Sequence, residues 1–209
     1  MKALRRKIFS PFRKFNHFTS FNEQLDRGRL IAKFIKDHVN ENNVKINYLD
    51  VGCNRGFLLA AAAEFNWNIY GNEVVPEQIA PFKKTYKQFA DNITSEKLNA
   101  TQDIFQKEYF DVISGIDVIE HFEGPLNDME IIYSLLKPGG YFVIQTPDTD
   151  CDKAKQLGAK WGALKPLEHL HLFNSSNLEK LSEIVGYKSI EFFPQLEEAD
   201  GNFVAIMKK

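Results

Sequence analysis

Apolar residues recur along this chain in two rhythms, one helical and one extended. Leu25, Leu30, Ile31, Phe34, Ile35 and Val39 fall at helical intervals, which predicts a helix over about 21–41 that stops in the polar cluster ENN. INYLDV, residues 46–51, is nearly continuous and apolar and reads as a buried strand. The Ala- and Leu-rich run from Gly56 to Phe65 reads as a helix, and WNIYGNE (67–73) as a second strand. Pro76 suits the first turn of a helix running to about Phe89. KLNA (97–100) is a short strand candidate and YFDVISGI (109–116) a longer one. A helix over about 125–136 meets Lys137-Pro138-Gly139-Gly140, a stop-and-turn signal before the strand YFVIQTP (141–147). Asn174-Ser175-Ser176 offers an N-cap to a helix with Leu178, Leu181 and Val185 on its apolar face, and Gly186 ends it. KSIEFF (188–193) and NFVAIMK (202–208) are close enough to pair antiparallel.

Strands alternating with helices imply right-handed crossovers and helices on both faces of one sheet. The expected fold is α/β: a doubly wound, mainly parallel seven-stranded sheet with an antiparallel C-terminal edge hairpin. In open sheets of this kind, ligands sit beyond the carboxyl ends of the strands where the winding reverses. That rule gathers residues 50–56, 73–75, 100–101 and 114–117 around one crevice.

The crevice carries a local signature. Asp50 ends the first strand, and Gly52 and Gly56 bracket a turn into a helix. Glycines allow positive φ and close approach of a ligand to the backbone, and the helix start presents N–H groups to an anion. A dinucleotide fingerprint wants G-x-G-x-x-G, whereas this run reads G-C-N-R-G with Asn54 at the middle position. Glu73 closes the second strand, where a carboxylate accepts hydrogen bonds from ribose hydroxyls.

Composition adds charge to this picture. The chain has 209 residues, 44% hydrophobic and 26% charged, a normal globular balance. Its net charge of -2 is unevenly spread. Residues 2–22 hold Lys2, Arg5, Arg6, Lys7, Arg13 and Lys14 and no acid, leaving 20 basic against 28 acidic residues in the rest. Such an acidic body argues against nucleic acid as a partner. The organisation expected is a basic arm over 1–22 and one domain over 23–209. In the arm, Phe9, Phe12, Phe15 and Phe18 interleave with the cations, a pattern that fits packing on its own domain or weak contact with an anionic membrane surface. Cys53 and Cys151 form neither a disulfide framework nor a metal pattern, so a reducing, cytoplasmic setting is expected. No run of about 18 apolar residues is present to span a membrane, and the basic N-terminus has no apolar segment typical of a signal peptide.

YLDVGCNRG, GNE, FDVISGIDVIEHFEGP and LLKPGGYFVIQTPD resemble, in the same order, the successive motifs of class I S-adenosylmethionine-dependent methyltransferases. The segment WGALKPLEHLHLFNSSNLEKLSEIVGY further resembles the branch known as methyltransferase type 23, close to small-molecule O-methyltransferases. One departure is Asn54, where family members usually carry glycine. The resemblance implies S-adenosyl-L-methionine as cofactor. It implies Gly52, Cys53, Asn54 and Gly56 along its methionine part, Asp50 orienting that loop, and Glu73 on the ribose with Val74 near adenine. Ala100 and Thr101 would flank the adenine edge, and Ser114, Ile116 and Asp117 would close the methionine side.

Methyl transfer from a sulfonium is an in-line displacement, so the protein mainly aligns the reactants in a dry pocket. A hydroxyl acceptor benefits from a base titrating near neutrality, for which His is suited. His121, just past the fourth strand, His169 and His171 are the candidates, with His169 favoured over His171; His17 and His38 lie away from the crevice. His169 and His171 are two apart in extended chain and face opposite ways, so one is expected to face the pocket, and no local third ligand suggests a metal. The long connection 148–173 is expected to be a lid over the acceptor, with Trp161 and His171 as substrate contacts. A small-molecule acceptor is expected, with oligomeric state left open. The other readings are a non-catalytic S-adenosylmethionine-binding module and a nicotinamide-dependent oxidoreductase, the latter disfavoured by the missing glycines.

Overall fold

The computed structural model describes residues 21–39, 45–194, 196 and 201–209. The basic aromatic arm lies, but for its last two residues, outside them. The seven-stranded sheet has the order β3-β2-β1-β4-β5-β7-β6. Its strands are β1 (Asn47–Val51), β2 (Asn68–Asn72), β3 (Ile93–Thr94), β4 (Phe110–Ile116), β5 (Leu136–Pro147), β6 (Ser189–Pro194) and β7 (Asn202–Lys208). The first five run parallel, and β7 is antiparallel to both β5 and β6. The winding reverses between β1 and β4, so the crevice opens beyond Val51 and Ile116.

Alternation of side chains along the strands builds two cores, one on each face. Leu49, Ile113, Phe142, Ile144, Ala205 and Met207 point to one, and Tyr48, Val112, Val143, Val204 and Ile206 to the other. The first is covered by helices α4 (Pro125–Leu135) and α6 (Ser175–Val185) through Met129, Ile132 and Leu178. The second is covered by α1 (Phe21–Val39), α2 (Phe57–Glu64) and α3 (Pro76–Thr85) through Ile31, Ile35, Leu59, Ile79 and Phe82. Gly28 lets α1 sit on α2: a Cβ there would lie 2.7 Å from the Phe57 carbonyl oxygen. Asn174 caps α6 with a reciprocal box to Asn177, and Gly186 ends it in the left-handed conformation.

Two sequence expectations are corrected. KLNA is not a strand; the third strand is the two-residue Ile93–Thr94, paired with Gly71 and Asn72. Residues Leu98–Asp103 form a 3₁₀ turn because Leu98 and Thr101, three apart, are both buried and the Thr101 hydroxyl donates to the Leu98 carbonyl. The Pro-Gly-Gly signal does not separate α4 from its strand by a free turn. Leu136 already pairs with Phe110, and the register shifts before Tyr141 meets Val112. Gly140 lies against the Phe110 and Asp111 carbonyls, a closeness that a side chain would block.

Candidate active site

The turn after β1 is made by three left-handed residues, Gly52, Asn54 and Gly56. A Cβ on Gly52 would fall 2.5 Å from the Val118 side chain. The Asn72 carbonyl accepts from the N–H groups of Gly52 (2.8 Å) and Cys53 (3.0 Å). Glu73, only 8% exposed, completes the clasp. Its Oε2 accepts from the Asn54 N–H at 2.9 Å and its Oε1 from the Val75 N–H at 2.8 Å. Burial pushes the Glu73 carboxyl up, and those two backbone bonds pull it back. Asn54 therefore does what the missing glycine would do, since Asn tolerates the left-handed region better than other side chains.

Below the turn, Asp50 is buried and accepts from the Ser114 hydroxyl at 2.6 Å, which in turn meets the Tyr48 hydroxyl at 2.6 Å. Burial raises the Asp50 carboxyl to about 7 despite the Ser114 bond, with Glu73 adding to the rise. Ser114 is thus a support for Asp50 rather than a surface of the crevice. Cys53 offers only its backbone, because its thiol packs in the core beside Gly71. Val74 stands on the rim, 49% exposed. Ala100 is half-buried, and Thr101 is fully buried with its hydroxyl already bonded.

Ile116 and Asp117 form the opposite wall. Asp117 has φ 56, and its N–H donates to the Gln145 carbonyl. Its carboxylate receives the Arg27 guanidinium at 2.9 Å and the Asn202 amide at 3.1 Å. Sequence reasoning missed both partners. Arg27 lies off the apolar stripe of α1 and carries no local signal; only the packing of that helix across the sheet brings it here.

Beyond Asp117, three polar side chains from distant segments meet. Glu120, 2% exposed, accepts from the Thr146 hydroxyl at 2.9 Å through Oε2. Its backbone carbonyl accepts from the N–H groups of Leu170 (2.8 Å) and His171 (3.1 Å), pinning the 148–173 connection to the end of β4. His121 Nδ1 lies 2.7 Å from the Glu168 carbonyl, so that nitrogen carries the proton, and Nε2 faces Glu120 Oε1 at 4.0 Å. The His121 and His169 rings meet edge to face at 4.8 Å. His169 Nδ1 is buried with no partner among the described residues. The sequence sets His169 beside His171; the fold sets it beside His121 and Glu120. His171 turns instead toward Phe173, and Trp161 is buried.

Burial governs the charges here. It raises the Glu120 carboxyl to about 8, helped by Asp117. It lowers His169 to about 4, with His121 and Lys165 adding, and lowers His121 as well. Both imidazoles are neutral near pH 7. Among the described residues no helix is long and apolar enough to cross a membrane.

The sequence profile of a methyltransferase domain matches residues 21–191. A ubiquinone biosynthesis O-methyltransferase of Actinobacillus pleuropneumoniae serotype 7 is 28% identical over 187 residues, covering 77% of this chain and 78% of that protein. One from Cereibacter sphaeroides ATCC 17023 is 28% identical over 120 residues, covering 56% of this chain and 48% of that protein. The chain spans about half the length of the Cereibacter relatives it matches. The fold is shared with a plantazolicin methyltransferase in complex with a triazolic desmethylPZN analog and SAH, at TM-score 0.71 and 14% identity over 98% of this chain and 90% of that one. With a clasped glycine turn at the switch point of its sheet and a profile match along most of its length, this chain belongs to the methyltransferase-domain family.

Proposed function

We propose that this chain transfers a methyl group from S-adenosylmethionine to the oxygen of a small-molecule acceptor. The observation that carries the reading is Glu73, whose carboxylate ties the backbone-lined turn after β1 to the tip of β2. Each of its oxygens keeps lone pairs for ribose hydroxyls. The start of α2 suits the carboxylate of a methionine moiety. Val74 and Ala100 supply apolar surface for adenine, and Ile116 and Asp117 the far wall. The O-methyltransferase relatives and the fold shared with an SAH-bound methyltransferase agree with this assignment.

When bound, the sulfonium supplies an already activated methyl group. The protein's tasks are then alignment and removal of the acceptor's proton. His121 and His169 are the groups at hand for the second task, both neutral near pH 7 and beside Asp117. In this reading, residues 148–173 cover the acceptor and keep water out, with the buried Trp161 as an inner contact and His171, beside Phe173, at the edge of that cover. Residues 23–209 form the transferase domain and 1–22 a basic arm. The acidic body takes no nucleic acid, and the free Cys53 and Cys151 suit a reducing, cytoplasmic setting. Weak membrane contact by the arm predicts liposome binding that falls as salt rises.

Calorimetric titration with S-adenosylhomocysteine tests the cofactor half. Binding is expected, and Glu73→Ala should weaken it at least about a hundredfold, since it removes charge-assisted bonds of ~1.5–3 kcal/mol each. Unchanged affinity in the variant would show that Glu73 does not hold the ribose.

A further inference from the structure

We propose that the basic aromatic arm ahead of α1 docks by its phenylalanines on a leucine-rich face of the 148–173 connection and so spans the crevice. Among the described residues, eleven large hydrophobic side chains are exposed, and five of them fall between residues 157 and 172: Leu157, Leu164, Leu167, Leu170 and Leu172. Scattered exposed leucines need no partner, whereas crowding of this kind marks an interaction surface. Leu170 and Leu172, two apart in extended chain, share a side opposite His171.

Leu167 carries a second, independent sign. It is 81% exposed and has φ 76. A leucine side chain resists the left-handed region, and such strain persists where the surroundings impose it and function uses it. Here the Lys165 carbonyl accepts from the N–H groups of both Glu168 (3.0 Å) and His169 (2.9 Å), and that tight turn imposes the conformation. A strained turn that holds a leucine in water gains stability only once the leucine is covered.

Composition, charge and position choose the arm as the cover. Phe9, Phe12, Phe15 and Phe18 recur every three residues as an aromatic stripe. Six cations and no acid in the arm face a remainder with 28 acidic against 20 basic residues, which draws the arm onto its own domain. The arm runs directly into α1, where the Phe21 ring meets Phe57, at the start of α2, edge to face at 5.2 Å. Farther along α1, Arg27 bonds Asp117, and Asp117 acts electrostatically on Lys165 and His169 of the connection. The arm thus joins the domain at one side of the crevice, and the leucine face stands at the other. Twenty residues span about 30 Å even at the rise of a helix, the diameter of a small domain, so length does not limit the contact. Docked there, the arm roofs the cofactor, a consequence that rests on the methyl-transfer reading.

The test uses the full chain with Cys151→Ser, leaving only the buried Cys53. Phe9→Cys, Phe12→Cys, Phe15→Cys or Phe18→Cys is combined in turn with Leu167→Cys, and mild oxidation is followed on non-reducing gels. At least one pair is expected to close within a single chain at least about tenfold faster than the same arm variant paired with Ile184→Cys, an exposed position of α6 on the other face of the sheet. Equal rates at the two positions overturn the proposal. Closure only between two chains makes a second copy the occupant and also overturns it. So does a chain whose arm fails to cross-link but loses binding to anionic vesicles when all four phenylalanines become serine, since a membrane would then be the arm's partner. That fourfold Phe→Ser variant should bind at least about twice as much hydrophobic dye as the parent, and adding Leu167→Ser and Leu170→Ser should remove the gain; unchanged dye binding counts against the docking. Cross-linking needs no cofactor and is judged apart from methyl transfer. S-adenosylhomocysteine should leave the fourfold variant at least about threefold faster. Unchanged release would overturn the roof, whereas no binding of S-adenosylhomocysteine by the parent would sink the methyl-transfer reading and keep the docked arm.

Discussion

The glycine turn and the Glu120–His121–His169 cluster lie at the same end of the sheet but are built on opposite plans. The turn uses backbone. Its N–H groups from Gly52, Cys53 and Asn54 all find acceptors on the next strand tip, Asn72 and Glu73. The cluster uses side chains brought together from residues 120–121, 146 and 169, and it buries a carboxyl and an unpartnered imidazole nitrogen. A satisfied backbone clasp stabilises the fold while shaping a site. Buried polar groups with incomplete partners cost stability and are retained where they do chemistry.

Breaking the turn should therefore cost far more stability than breaking the cluster. In Gly56→Ala, the new Cβ would meet the Phe82 ring at 2.5 Å on a residue with φ 75. Left-handed strain and overpacking together predict a loss of about 2–4 kcal/mol in urea unfolding. His169→Ala removes a half-buried ring with one unpaired nitrogen, and should cost under about 1 kcal/mol. Similar losses in the two variants would erase the contrast.

The cluster and Asp50 should also set the pH dependence of stability. Both Asp50, held at about 7, and Glu120, held at about 8, keep protons in the folded chain that the unfolded chain releases near 4. Folded carboxyls with raised pKa values make stability fall as pH rises through them. His121 and His169, lowered from 6.5, act in the opposite sense below that value. The clean window is therefore pH 6.5 to 8, where the protein should lose about 2 kcal/mol. Glu120→Gln should flatten much of that slope. A flat profile in the parent protein would mean that its carboxyls are already ionised when folded, and that the buried tension is absent.

The same difference in plan decided what could be seen from the sequence. The turn was legible because strand, Gly52, Gly56, helix and Glu73 fall within 25 residues or so, with local rules for each. Asn174 and Gly186 as helix ends were legible for the same reason. The third strand was misplaced because it has two residues, too few to show a period, while Leu98 and Ala100, two apart, mimic strand alternation inside a 3₁₀ turn. The His121–His169 pairing and the Arg27–Asp117 bond join residues 48 and 90 apart, and no local pattern encodes such meetings.

The smallest expected effect is at Asn54. Its φ is 47, and its contribution to the clasp is the N–H donated to Glu73, not its amide side chain. Asn54→Gly relieves a mild left-handed strain and adds freedom to the unfolded chain, two terms of about 0.5–1 kcal/mol that oppose each other. Stability should change by under about 0.5 kcal/mol and S-adenosylhomocysteine affinity by less than about threefold. Asn54→Val, β-branched at the same φ, should cost about 2 kcal/mol because its backbone resists that region. If the glycine variant instead lost binding as heavily as the valine one, the Asn54 side chain would be a ligand contact in its own right. The turn would then share the side-chain plan of the cluster.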